Sequence, residues 1–340
     1  MMRAAFYNGN RHIQTGQCFE QPPSTGQVQL RVSHCGICGT DLHLFHGNMD
    51  HRVTFPQVIG HESSAVIVAI GDGVTGWKEN DRVTVRPLDP CGECPACRRG
   101  HSHVCQKLKF IGIDAPGAMQ ALWTVPAHTL HRLPDNLTLE HASLVEPVAV
   151  ACHDVRLGEV KPGEFAVVIG GGPIGALVAL VTQHRGARVI VTEINPFRIA
   201  LLKQLGLEVH DPSTVDIPAL VQSETQEAGA DVVFEVSGAA AGAELMTKLP
   251  GVRGRIVMVA VFPKPVPVDL HKFFWREMRL IGTRVYEPQD FDEAISLLAS
   301  TGVPFRQLIT GVYPLDELEK GLLQMERGAD VMKILIDCQS

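Results

Sequence analysis

No stretch of this 340-residue chain is long and apolar enough to be a membrane span, and its opening residues, MMRAAFYNGNRHIQ, lack the apolar core of a secretion leader. No membrane partner is therefore expected, and the expected location is cytoplasmic. Positive charge is scarce as well. Lys and Arg number 30 against 37 Asp and Glu, a formal net charge of −7, so no nucleic-acid partner is expected. Internal repeats and low-complexity segments are lacking. An even cysteine count is missing too. There are nine, and in a reducing compartment a clustered set of thiols points to a metal rather than to disulfides.

What is present reads as two domains of ordinary size. The first part is β-rich: GQVQLRVSHC alternates Val28, Leu30 and Val32, while SSAVIVAIGDGV and DRVTVRP read as strands closed by Gly and Pro turns. From about residue 150 the pattern changes. FAVVIG (165–170) is a short continuous apolar run, as in a buried parallel strand. After a glycine-rich turn and ALVALVTQHRG, strand and helix alternate through RVIVTE, PFRIALLKQLG, DVVFEVSG, AELMTKL, RIVMVAV and RLIGT. That alternation predicts an α/β fold with a doubly wound parallel sheet over residues 151–285. Beyond it, FDEAISLLAS and LDELEKGLLQM read as helices, and KILID as a strand.

Four cysteines fall in one frame, CGECPACRRGHSHVC, at Cys91, Cys94, Cys97 and Cys105. Two-residue spacers let thiolates converge on one ion, and four of them close a tetrahedron with no open position, the signature of a structural zinc. Their net charge of −2 with zinc is offset by Arg98, Arg99, Lys107 and Lys109. An iron–sulfur cluster is the nearest rival, but its usual C-x3-C-P continuation is absent.

GGGPIG supplies Gly170, Gly172, Pro173, Ile174 and Gly175, a G-x-G-x-x-G that follows a predicted strand and opens a predicted helix. The glycines permit a tight turn and close approach to a pyrophosphate, which the helix N-terminus favours. Glu193 follows Gly175 by 18 residues, where a carboxylate can hold ribose hydroxyls and repel a 2′-phosphate. NAD is therefore the expected cofactor, with Arg198 close enough to soften that preference. Asn195-Pro196 reads as an N-cap with Pro at N1.

A second donor set is spread along the chain. HCGICGTDLH contains Cys35 and Cys38, readable as a redox pair, followed by Thr40, Asp41 and His43; His61-Glu62 and Glu146 lie further on. One Cys, one His and one or two Glu make a mixed set of the catalytic zinc type. Spacing cannot join residues more than 100 positions apart.

The chain resembles the zinc-dependent medium-chain alcohol dehydrogenases, in the branch of sorbitol, butanediol and threonine dehydrogenases. GICGTDLH, IGHE, NDRV, the four-cysteine lobe, the EP dipeptide, GGGPIG and the terminal KILI carry that resemblance collinearly over nearly the whole chain. It implies a GroES-like β-rich catalytic domain of residues 1–150 and 286–340, with a structural zinc lobe at about 88–110, and a Rossmann domain of residues 151–285. It implies two zinc ions per chain. Cys38 and His61 match ligands of the catalytic one, Glu62 an acidic residue that binds the metal or its water, and Glu146 the carboxylate found in polyol dehydrogenases. The expected proton path runs from the substrate through Thr40 and a cofactor ribose hydroxyl to His43. Met119-Gln120-Ala121-Leu122 stands where the family often has FAEY, so the substrate pocket does not follow from the resemblance.

The expected activity is transfer of a hydride to NAD from a secondary alcohol of a small polyhydroxylated substrate: a polyol, vicinal diol or sugar acid. Activity on threonine is the alternative within the class. A zinc-ribbon nucleic-acid binder and a non-catalytic NAD sensor are the alternatives outside it. A homodimer or homotetramer is expected. Arg284 stands as a weaker candidate for contact with substrate or cofactor.

Overall fold

The computed structural model describes residues 1–300 and 302–340. The chain divides into two compact units, one of Met1–Pro147, Glu287–Gly302 and Arg306–Ser340, the other of Val148–Tyr286 and Val303–Phe305.

In the first unit the strands are β1 (Met2–Tyr7), β2 (Ile13–Cys18), β3 (Gln27–Gly36), β4 (Gln57–Val58), β5 (Glu62–Ile70), β6 (Arg82–Val85), β7 (Leu88–Asp89), β8 (Lys109–Phe110), β9 (Leu122–Pro126) and β10 (Leu130–Arg132). Between them lie helices α1 (Gly39–Phe45), α2 (Pro95–Arg98) and α3 (Leu139–Ala142), and α4 (Val145–Leu157) leads into the second unit. The alternation read in GQVQLRVSHC has its cause in β3, where Val28, Leu30, Val32 and Cys35 are fully buried in the unit's core with Trp123, Ile67 and Ile37.

The second unit places β11 (Phe165–Ile169), β12 (Arg188–Thr192), β13 (Glu208–His210), β14 (Ala230–Glu235), β15 (Pro250–Met258) and β16 (Arg279–Gly282) in one parallel sheet, ordered β13-β12-β11-β14-β15-β16. Helices α5 (Pro173–His184), α6 (Pro196–Gln204), α7 (Ile217–Glu224), α8 (Ala240–Met246) and α9 (Leu270–Arg276) connect the strands. Such a doubly wound order reverses direction next to β11, where ligands bind beyond the strands' carboxyl ends. FAVVI is continuous in sequence because all five of its residues are buried.

The tail returns to the first unit with α10 (Pro288–Ala299), β17 (Ile309–Pro314), α11 (Leu318–Arg327) and β18 (Lys333–Asp337). β18 pairs antiparallel with β3, setting Leu335 opposite Gly36. β3 thus lies between β5 and β18 in a sheet ordered β10-β6-β5-β3-β18-β17, with β9 also on β3. Among the described residues no helix is long and apolar enough to cross a membrane.

Candidate active site

The four-cysteine lobe is held at its base by the β7–β8 ribbon, which pairs Leu88 with Phe110 and Asp89 with Lys109. Cys94 is the N-cap of α2, and Pro95 at N1 starts that short helix. Sulfur–sulfur distances are 3.5 Å for Cys94–Cys97, 3.5 Å for Cys91–Cys105 and 3.8 Å for Cys94–Cys105. A tetrahedron with thiolates about 2.3 Å from its centre has edges of about 3.8 Å, so the four sulfurs fit a zinc ion. The backbone N–H groups of Cys91 and Lys107 donate to Cys105 Sγ at 3.4 and 3.3 Å. Backbone N–H groups of Cys97 and Gln106 hold the Cys94 thiol below its ordinary pKa, which favours the thiolate a metal needs. Lys107 pairs with Glu93 at 2.7 Å, and that carboxylate first, with the lobe's cysteines behind it, raises the ammonium above its ordinary pKa. None of the nine cysteines is in a disulfide.

Ligand atoms of Cys38, His61 and Glu62 lie within 4.8 Å of one another. Cys38 is the N-cap of α1, where its N–H donates to Asp41 Oδ2 at 2.8 Å. His61 immediately precedes β5 and Glu62 begins it, and both are 1% exposed. The Phe110 ring stands edge-on to His61, 5.1 Å away, so the lobe's ribbon walls one side of the cluster. Asp41 is wholly buried, and its Oδ1 faces His61 Nδ1 at 3.7 Å with no hydrogen bond to either atom. Burial opposes a charged His61, but Asp41 and Cys38 outweigh it and hold the imidazole well above its ordinary pKa. Burial also pushes the Asp41 carboxyl up, against the pull of His61. A soft thiolate, an imidazole and a carboxylate in an anionic, buried pocket are the donor chemistry of zinc.

Glu146 stands in the first turn of α4, 5% exposed. The structure does not bring it into the three-residue cluster, although its charge acts on both His61 and Lys333. Thr40 and His43 lie on α1, three residues apart and so on one helix face, Thr40 half-buried and His43 exposed.

Two site residues escaped the sequence reading. Asp41 carries a signal of a kind, since it shares the CGTDLH motif. Lys333 opens the quoted KILI but was given no role, because a lysine opening an apolar strand reads as surface. It is 4% exposed, its Nζ is ion-paired with Glu62, and it donates to the Ile37 carbonyl at 3.0 Å. Burial works against its charge, but Glu62 and Cys38 hold the ammonium above its ordinary pKa.

In the second unit Gly170 takes a positive φ of 100°, and a side chain on Gly175 would collide with the Gly170 carbonyl. Gly172 is the N-cap of α5, with Pro173 at N1 and Ile174 behind it in the first turn. Glu193 lies just past the end of β12 rather than within it. Its Oε2 accepts from Gly171 N–H at 3.0 Å, and its Oε1 from Ile194 and Asn195 N–H at 2.7 and 2.9 Å. Arg198 Nη1 is 3.9 Å from Glu193 Oε2, and Asn195 caps α6 by accepting from Arg198 N–H at 3.1 Å. Arg284 is exposed just beyond β16.

Residues 24–135 match the family model of the alcohol dehydrogenase GroES-like domain, and residues 173–300 that of the zinc-binding dehydrogenases. The chain is 48% identical to the 2-dehydro-3-deoxy-L-galactonate 5-dehydrogenase of Pseudoalteromonas atlantica, over 100% of this chain and 99% of that protein. It is 32% identical to a sorbitol dehydrogenase of Halalkalibacterium halodurans, over 97% and 96% of the two chains. The crystal structure of 2R,3R-butanediol dehydrogenase from Bacillus subtilis superposes with a TM-score of 0.91 at 30% identity, covering 99% of each chain. Those likenesses, over domains that bring both donor sets and the dinucleotide turn into place, show that the chain belongs to the zinc-dependent medium-chain alcohol dehydrogenase family.

Proposed function

We propose that the enzyme oxidises a secondary hydroxyl of a sugar acid, with NAD as hydride acceptor and zinc at Cys38, His61 and Glu62. The observation that carries the reaction is the buried convergence of those three donors within 4.8 Å. The sugar acid is chosen among polyols, diols and sugar acids because of the full-length likeness to a 2-dehydro-3-deoxy-L-galactonate 5-dehydrogenase.

Zinc would supply a Lewis acid that lowers the pKa of an alcohol far into the neutral range. Cys38 and His61 are its constant ligands in this reading, and Glu62 and Glu146 the carboxylates on call. Asp41 orients the imidazole from the Nδ1 side, leaving Nε2 for the ligand set. Thr40 Oγ1 would accept the hydroxyl proton as it gives up its own, the first link of a relay that ends at His43, exposed on α1, which would release the proton to solvent. The Gly170–Gly175 turn and the N-terminus of α5 hold the pyrophosphate. Glu193, with three of its acceptor sites taken by backbone N–H groups, has one left on Oε2 for a ribose hydroxyl, and its charge disfavours a 2′-phosphate, an effect that Arg198 moderates. Cys91, Cys94, Cys97 and Cys105 would hold a second, structural zinc.

We assign the catalytic role to the unit of residues 1–147, 287–302 and 306–340, and cofactor binding to residues 148–286. A homo-oligomer is part of the proposal. It is supported by the open edge of β16 with Leu280 exposed, and by the apolar Leu270, Phe274 and Trp275 exposed on the neighbouring α9. Nine cysteines with no disulfide among them support a cytoplasmic location.

The test is a zinc count on purified protein, together with NADH absorbance over 3-deoxy-2-keto sugar acids, aldonates, polyols, diols and threonine. Two zinc ions per chain and preferential turnover of a sugar acid are expected. One zinc, or turnover of threonine alone, would overturn the reading.

A further inference from the structure

The first unit holds a cavity of about 420 Å³ that none of Cys38, Thr40, His43, His61, Glu62 or Glu146 lines. That volume is within the range of small-molecule sites. Phe6 and Leu122 give it apolar wall, and two carboxamides give it polar wall. Gln57 on β4 and Gln120, two residues before β9, are 7% and 5% exposed. Each gives an amide N–H to a carbonyl, Gln57 to Ile113 at 3.2 Å and Gln120 to Gly117 at 2.6 Å. Their Oε1 atoms accept no hydrogen bond among the described residues, and neither atom is sealed in the protein, so both look into the cavity. A carboxamide oxygen in so enclosed a place calls for a donor from outside the chain. Lys109 on β8, exposed where it lines the cavity, has no ion pair among the described residues. Asp89, its partner in the β7–β8 ladder, lines the cavity too, with its carboxylate 3.2 Å from His128 Nε2. One unpaired ammonium with a carboxylate nearby suits a single negative charge rather than a phosphate dianion. Gln120 and Leu122 stand where the family often has Ala and Tyr, so this chain's own residues supply an amide and leave room.

We propose that this cavity is a second, non-catalytic site for a small polyhydroxylated carboxylate, whose hydroxyls donate to Gln57 and Gln120 and whose charge meets Lys109. The wall the ligand would touch continues into the metal pocket. Gln57 and Val58 lead within three residues to His61, and residues 117–119 are bonded along that stretch. Gly117 N–H donates to the Val58 carbonyl at 2.7 Å, Ala118 N–H to Gly60 at 2.9 Å and Met119 N–H to Ile59 at 3.0 Å. The two segments touch so closely that a β-carbon on Gly117 would collide with the Gly60 carbonyl. A ligand bridging Gln57 and Gln120 would tie these segments together and slow their local opening.

The experiment titrates the zinc-loaded protein with gluconate and with the neutral polyol galactitol, by calorimetry, and follows amide hydrogen exchange with gluconate present. Gluconate should bind, and the backbone N–H groups of residues 117–119 should exchange more slowly. Gln120→Leu should weaken gluconate by about tenfold, the scale of one lost hydrogen bond. Lys109→Met should weaken gluconate by about fivefold and leave galactitol unchanged. Should Gln120→Leu fail to fold, Leu122→Trp fills the cavity from a partly exposed position and keeps every polar group. It should remove the binding while kcat/KM stays within about twofold of wild type. No gluconate binding, no protection of residues 117–119, or an affinity unchanged in both Gln120→Leu and Leu122→Trp overturns the proposal. Binding that survives Leu122→Trp and vanishes in Cys38→Ser would be binding at the active site alone, and overturns it equally. Failure of the catalytic reading looks different, because it would show as Cys38→Ser turning over at the wild-type rate.

Discussion

The four-cysteine lobe and the Cys38/His61/Glu62 pocket lie in the same unit, and both gather donors suited to zinc, yet they are assembled in different ways. The lobe takes all its donors from fifteen consecutive residues, has the Cys105 sulfur accept from the backbone N–H groups of Cys91 and Lys107, and leaves Cys91 and Cys97 partly exposed. The pocket takes its donors from α1 and β5, has Asp41 and Phe110 set against His61, and receives Lys333 from the far end of the chain. A local frame has no apolar core of its own, so a metal bound there would stand in for one. A buried pocket has its shape from the surrounding sheet, so a metal bound there would be free to do chemistry. Removing metal should therefore unfold something in the first case and stop the reaction in the second.

The largest effect should come from the pocket. Cys38→Ser is expected to lower kcat/KM by at least about a thousandfold, the several kcal/mol that a Lewis acid supplies. The melting temperature and NAD affinity, read by calorimetry and cofactor titration, should stay near wild type. A variant that loses stability and keeps activity would put Cys38 on the lobe's side of the comparison. Asp41→Asn ranks next. It keeps the shape and removes the charge facing His61 Nδ1, so activity and zinc affinity should each fall by about 10- to 100-fold, measured by turnover and chelator competition.

Sequence made these two regions unequally visible for the same physical reason. The lobe's spacing is its geometry, so Cys91, Cys94, Cys97 and Cys105 were readable with no fold in hand. The dinucleotide turn was nearly as plain, because Gly170–Gly175 and Glu193 are linked by one strand–helix–strand passage. Even so, Glu193 proved to lie past its strand, bonded to three backbone N–H groups. Cys38, His61, Glu62 and Glu146 became a set only through a family resemblance, since nothing local ties residue 38 to residue 146. Lys333 was beyond reach, because only the β18–β3 register brings it to Glu62. The short strands β1, β2, β9 and β10, like α9 with its exposed aromatics, carried no periodicity strong enough to read.

The lobe should show the reverse pattern. Cys97→Ser is expected to lower the melting temperature by roughly 5 to 10 °C and to cost one zinc per chain. Activity per folded molecule should remain within about threefold of wild type, the margin allowed for Phe110 shifting against His61. A loss of activity as deep as that of Cys38→Ser would break the comparison, because it would mean that the ribbon sets the pocket's geometry.

The smallest effect is expected at a third charged cluster, which isolates what burial contributes. Glu326 on α11 accepts two hydrogen bonds from Arg11, at 2.8 and 2.7 Å, and lies 2.6 Å from His46 Nε2 at the end of α1. Its partners' side chains are 46% and 32% exposed, so water and salt screen this cluster as they cannot screen Lys333 and Glu62. Arg11 first, and His46 second, hold the Glu326 carboxyl down to about 2. A depressed carboxyl adds stability above its unfolded pKa, and that stability is lost as pH falls toward the folded one. Glu326→Gln should therefore melt slightly below wild type at neutral pH, with the gap narrowing as pH falls from about 5 to about 2 and in high salt. Lys333→Met should also melt below wild type, and that difference should hold in the same salt series, since Lys333 and Glu62 are buried. If both differences vanished together on adding salt, the Lys333–Glu62 pair would be reached by solvent, and burial would not be what separates the pocket from the surface.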